Sequence, residues 1–237
     1  MTHSGEEQVP LSGGGELRLR VVAPDSSPRG GILVAPQARG VTSATRRLAA
    51  GLAGEGWLAV IPHLSPQPDP QPRGRTPHTS TDGPAGDRGG ARGPAKPLTV
   101  SGIDAATGAA FAWLLRQGVA VDRLGVMGCE LGGAVALIVA TRRDLGAAVT
   151  IGGTGIVQPV APALPPLVDV APELRCPWLG IYPPHGESPE EEVHKLRDAA
   201  HSAPVATDLV RCGFDPDQSA ASEAWARILN WFDCHLR

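Results

Sequence analysis

The ten residues Leu124-Gly-Val-Met-Gly-Cys-Glu-Leu-Gly-Gly133 constrain this chain more than any others. An apolar run over 124–127 reads as a buried strand, glycines crowd the turn behind it, and a helix is predicted to begin at Ala134. Gly128 and Gly132 have the spacing of G-x-S-x-G, a turn in which a strand passes abruptly into a helix and raises the intervening residue above a sheet edge. Sterics select the apex of that turn. Glycines two residues before and after it let strand and helix approach closely. Centring on Glu130 supplies Gly128 and Gly132, whereas centring on Cys129 would place Met127 and Leu131 in those tight positions. Glu130 is therefore read as the apex, with Cys129 one residue early. A carboxylate stands where Ser, Cys or Asp would serve as nucleophile.

The rest of the pattern supplies a sheet for this turn. Alternation over 17–23 predicts a half-exposed strand. Apolar runs at 31–35 and 56–61 predict strands covered on both faces, with a helix between them over 43–54. That β-α-β unit implies a parallel sheet with a right-handed crossover. Further helices are predicted over 99–117, 190–201 and 222–235, and further strands at 147–151, 178–182 and 207–212. Residues 159–172 read as a Pro-rich connection. Residues 65–97 are dominated by Pro, Gly, Arg, Asp, Ser and Thr, too polar to offset their ordering entropy by burial, and are expected to form a mobile loop, either a lid or a disordered excursion.

Composition narrows the function classes. At 237 residues and 42% hydrophobic content, a sizeable single core is available. A net charge of −3 gives no basic footprint for nucleic acid. No apolar run approaches the roughly 20 residues needed to span a bilayer, and the first residues lack the basic and apolar regions of a signal peptide. A cytoplasmic protein is expected, acting as a monomer or homodimer on a small molecule, without nucleic acid or membrane partners. Cys129, Cys176, Cys212 and Cys234 form no C-x-x-C pair, so neither a zinc site nor a redox motif is expected. Three of them are read as core fillers, with Cys129 set apart by its place in the turn.

Two segments resemble the dienelactone hydrolase family. Gly125-Val-Met-Gly-Cys-Glu-Leu-Gly-Gly-Ala134 is similar to that family's G-x-x-G-x-C-x-G-G-A, and Ile32-Leu-Val-Ala-Pro-Gln-Ala-Arg-Gly-Val41 is similar to its strand and loop ending in an acidic residue, two variable residues, Gly and Val. Pro189 and Gly213 extend the register. The resemblance covers most of the chain from Gly31 onward, apart from 65–97. It implies an α/β fold of the α/β-hydrolase type, a mostly parallel sheet flanked by helices in three layers, forming one domain over 1–237. The family uses a Cys nucleophile, a Glu that gates it, and an Asp and a His. Carried across, the nucleophile falls on Glu130, the gating Glu on Gln37, the Asp near His185 and the His near Phe214.

The candidate catalytic residues are thus Glu130, Cys129 and His185. Candidate substrate contacts are Gln37, Ala38, Arg39, His63, Leu131 and Phe214. His63 follows a strand end, where it either faces the site or stands at the surface; Arg39 either meets a substrate carboxylate or is a solvated loop arginine. His63, His185 and Glu130 lack a metal-ligand spacing, so no metal is expected, and no cofactor. Three roles remain open for Glu130. It can attack a carbon covalently, transfer protons as a general acid or base, or close the N-terminus of the following helix as a fixed anion. The first two suit an enzyme acting on a small ester, lactone or related carbonyl compound. The last suits a non-catalytic pseudo-hydrolase that binds a ligand or a protein.

Overall fold

The computed structural model of the chain describes residues 3–37, 41–64, 98–184, 188–215 and 222–237. The predicted loop over 65–97 lies outside the described residues. Eight strands form one sheet: β1 (His3–Pro10), β2 (Glu16–Ala23), β3 (Gly31–Ala35), β4 (Leu58–Pro62), β5 (Leu124–Cys129), β6 (Ala147–Ile151), β7 (Trp178–Tyr182) and β8 (Thr207–Arg211). Their spatial order is β1-β2-β4-β3-β5-β6-β7-β8. The two β1–β2 and β2–β4 pairings are antiparallel and the rest are parallel. This is the α/β-hydrolase fold.

The helices are α1 (Ser43–Gly54), α2 (Val100–Arg116), α3 (Leu131–Arg142), α4 (Leu167–Val170), α5 (Glu190–His201) and α6 (Glu223–His235). Caps fix where several begin. Thr42 accepts the Thr45 N–H, Thr99 that of Gly102 and Ser222 that of Trp225, each satisfying one orphan donor of a first turn. Side chains alternate to two faces of the sheet and build two cores. On one, Leu33, Val126 and Tyr182 pack with Ile103 of α2, Val135 of α3 and Val193 of α5. On the other, Ile32, Val34 and Met127 pack with Leu48 of α1 and Phe232 of α6. The strands β3 and β5 between them are buried almost throughout, which is why they read as continuous apolar runs.

Three departures from the sequence reading have physical causes. Strand β1 was not expected, because seven of its eight residues are exposed and it shows no apolar alternation; it forms by pairing with β2 along its whole length. The Pro-rich connection contains α4 and a single 3₁₀ turn, Ala171–Glu173, anchored by buried Leu167 and Ala171. Helix α3 begins at Leu131 rather than Ala134. Gly132 and Gly133 are poor helix formers in isolation, but here contact requirements keep them in the helix: a Cβ on Gly132 would run into the Ala35 carbonyl. The cysteines also divide differently, since Cys176 and Cys212 are buried whereas Cys234 is exposed.

Candidate functional site

Strand β5 delivers Cys129 to the C-terminal edge of the sheet, and the chain then reverses through Glu130 into α3. Glu130 has φ 53° and ψ −119°. It is the one non-glycine residue with positive φ among the described residues. Such a conformation costs on the order of 1–3 kcal/mol and persists only where the surroundings impose it. Here they do. The Glu130 N–H donates to the Ile151 carbonyl at 2.9 Å, and its own carbonyl accepts from Ala134 at 3.0 Å and Thr154 at 3.3 Å. A Cβ on Gly128 would collide with the Gly132 backbone. A buried relay braces the turn from behind: Trp178 Nε1 donates to Thr150 Oγ1 at 3.0 Å, and that hydroxyl donates to the Gly133 carbonyl at 3.0 Å. The apex is Glu130.

Its carboxylate does not cap α3, contrary to the fixed-anion expectation: it makes no hydrogen bond to the helix N-terminus. Instead Gln37 Nε2 donates to Glu130 Oε2 at 2.9 Å. Gln37 stands just past β3, the strand beside β5, so the parallel pairing of Ala35 with Gly128 brings the two side chains together. Cys129 lies one residue before the apex. Burial first, and the Glu130 carboxylate second, push its thiol up to about 12. At neutral pH it is a protonated, poorly nucleophilic thiol.

A small cleft of about 140 Å³, partly open to solvent, lies over this edge; it is lined by Ala35, Gln37, Ala44, Thr45, Leu48, Cys129, Glu130, Ile151, Gly152, Pro183 and Phe214. Four of the residues singled out from sequence meet here: Glu130, Cys129, Gln37 and Phe214. Two do not. Leu131 is half-buried and packs toward the α2 and α3 core, because entering the helix turns its side chain away from the apex. His63 is held beside β2 by its N–H bond to the Arg18 carbonyl and lies among Glu6, Arg18, Arg20 and Arg46, outside the cleft lining. Ala38, Arg39 and His185 lie outside the described residues.

Sequence reasoning missed most of the walls. Ala44 and Leu48 are four apart on α1 and share a helix face, and Ile151 ends the strand next to the elbow strand. Helical spacing and the strand-end rule were the available signals. Among the described residues no histidine lines the cleft, and none form a group of three His, Cys, Asp or Glu able to hold a metal. No described helix is long and apolar enough to cross a membrane.

Comparison with known proteins places this geometry. The structure is similar to a putative dienelactone hydrolase from Klebsiella pneumoniae, with a TM-score of 0.76 and 25% identity, covering 98% of this chain and 99% of that one. A dienelactone hydrolase from Anabaena variabilis matches with a TM-score of 0.67 and 16% identity over 100% of this chain and 99% of that one. An esterase from Pyrococcus furiosus matches with a TM-score of 0.69 and 14% identity over 99% and 93%. The last two share the fold alone. A comparison with curated protein sequences found no match. The dienelactone hydrolase family model matches residues 17–236, nearly the whole of the sheet and its elbow, and the chain belongs to that family.

Proposed function

We propose that this protein uses the family's cleft to bind a small organic molecule and does not perform acyl transfer at the elbow. The observation that carries the reading is the Gln37–Glu130 hydrogen bond at the apex. A Ser or Cys nucleophile there would need a base to activate it and water to release the acyl group. The apex instead holds a carboxylate engaged by a neutral amide, and the adjacent Cys129 thiol stays protonated. Glu lengthens the side chain by one methylene and a rotatable bond relative to Asp, which loosens any in-line attack; misplacement of about 1 Å costs roughly 100-fold in rate. Apolar walls from Leu48, Ile151 and Phe214 suit a small organic ligand.

A second reading is favoured by one feature: Gln37 engages only Oε2 of Glu130, a residue that lines a largely apolar cleft. A carboxylate so placed is suited to proton abstraction from a small carbonyl compound. Turnover of p-nitrophenyl acetate by the wild type, Glu130→Gln and Cys129→Ala separates the readings. The binding reading expects three equal rates at the buffer background. Turnover lost in Glu130→Gln supports a catalytic carboxylate; turnover lost only in Cys129→Ala would contradict both readings.

A further inference from the structure

This inference rests on the reading of the cleft as a ligand site and adds the chemistry of the ligand. Among the described lining residues, Glu130 is the one carboxylate, and none is Lys, Arg or His. The remaining walls are mostly apolar, with Leu48, Ile151, Pro183 and Phe214 supplying the bulk.

Two acceptor atoms at the apex are also unused. Two oxygens cannot share a hydrogen bond without a proton, so the Gln37 amide must turn its nitrogen toward the carboxylate, as observed at 2.9 Å. Its own oxygen is then directed away from Glu130. Neither that oxygen nor Glu130 Oε1 has a hydrogen-bond partner among the described residues. The hydrogen bond thus leaves a pair of acceptors, one of them charged, at the polar end of an apolar cleft.

We infer that the cleft selects an alkyl- or arylammonium ion, its N–H donors shared between Glu130 Oε1 and Gln37 Oε1 and its apolar body against Leu48, Ile151 and Phe214. An ammonium group is all donor and matches two acceptors at once. Its bonds to the carboxylate are charge-assisted, which makes them stronger than neutral ones, although Glu130 stands at the solvent-exposed mouth of the cleft. A neutral alcohol of the same shape offers one uncharged donor to the two acceptors. A carboxylate ligand meets Glu130 as a like charge and is rejected.

Isothermal titration of the full chain with benzylamine, benzyl alcohol and benzoate at neutral pH tests this. Benzylamine is expected to bind at least about 10-fold more tightly than benzyl alcohol, the scale of a charge-assisted bond, with benzoate weakest. Glu130→Gln, which keeps the side-chain shape, should erase the amine's advantage and leave benzyl alcohol within about 3-fold of wild type. Gln37→Leu is the second variant and should weaken the amine selectively. Equal binding of amine and alcohol, or preference for benzoate, overturns the inference while the cleft remains a ligand site. Binding of none of the three overturns both the inference and the reading beneath it.

Discussion

Gln37 Nε2 donates to Glu130 Oε2 at 2.9 Å, joining the residue that follows β3 to the apex that follows β5. The resemblance assigns these positions to a gating Glu and a Cys nucleophile. Here the acidic residue has moved to the apex, and its partner is an amide. Carboxylates at both positions would set two anions within hydrogen-bonding distance, so the neutral partner accompanies the acidic apex for an electrostatic reason. Gln37→Glu should therefore lower stability near pH 7 and restore it as pH falls into the carboxylate range. Urea unfolding at the two pH values checks the sign.

The apex conformation predicts a difference between two small substitutions. Glu130→Gly and Glu130→Ala both delete the bond to Gln37, but only glycine tolerates φ 53° without strain. Glu130→Gly should be more stable than Glu130→Ala by about 1 kcal/mol or more, measured by chemical denaturation. Equal stabilities would mean the turn relaxes when the side chain is removed.

Gly128 supplies a test of the close approach. A methyl group there meets the Gly132 backbone rather than a flexible side chain, so no rotamer change relieves it. Gly128→Ala should cost on the order of 2–3 kcal/mol, at the upper end of overpacking effects. A loss below about 0.5 kcal/mol, the size of ordinary surface substitutions, would show that strand and helix can separate.

The thiols should differ in reactivity. Cys234 is exposed, whereas burial raises Cys129 and Cys176 to about 12 each. Iodoacetamide near pH 8, followed by peptide mass spectrometry, should label Cys234 first and Cys129 far more slowly. The same shifts affect stability. Both thiols stay neutral in the folded chain while unfolded thiols ionise near 9.0. Their contribution is complete below that pH and is lost as pH rises toward 12.

His63 behaves in the opposite sense. Burial first, then Arg18, Arg20 and Arg46, outweigh Glu6 and lower its pKa below 6.5, and its buried Nε2 has no hydrogen-bond partner among the described residues. A base with a depressed folded pKa contributes stability that is present above 6.5 and lost as pH falls. His63→Gln should flatten the decline in urea midpoint between about pH 7 and 5.

How much of this was legible in the sequence depended on what each residue's neighbours demanded. Gly128 and Gly132 identified the apex because their role is local and steric. Apolar runs marked β3 through β7 because both faces of those strands are covered. Strand β1 was hidden because it is a polar edge held by backbone pairing, which leaves no side-chain pattern. The Gln37–Glu130 bond was also hidden: the two residues are 93 positions apart, and only the parallel register of Ala35 with Gly128 makes them neighbours. His63 illustrates the limit of the strand-end rule. It follows the end of β4, yet β3 separates β4 from the elbow strand and the pairing with β2 holds it away.

With a carboxylate at its apex and a protonated Cys129 beside it, the elbow is expected to form no acyl intermediate. The most direct measurement is mass spectrometry of the intact protein, then of the peptide containing Cys129 and Glu130, after exposure to excess p-nitrophenyl acetate at neutral pH. No acetyl group is expected on that peptide at any time from milliseconds to minutes. An acetylated Cys129 or Glu130 that forms and then decays with turnover would contradict it.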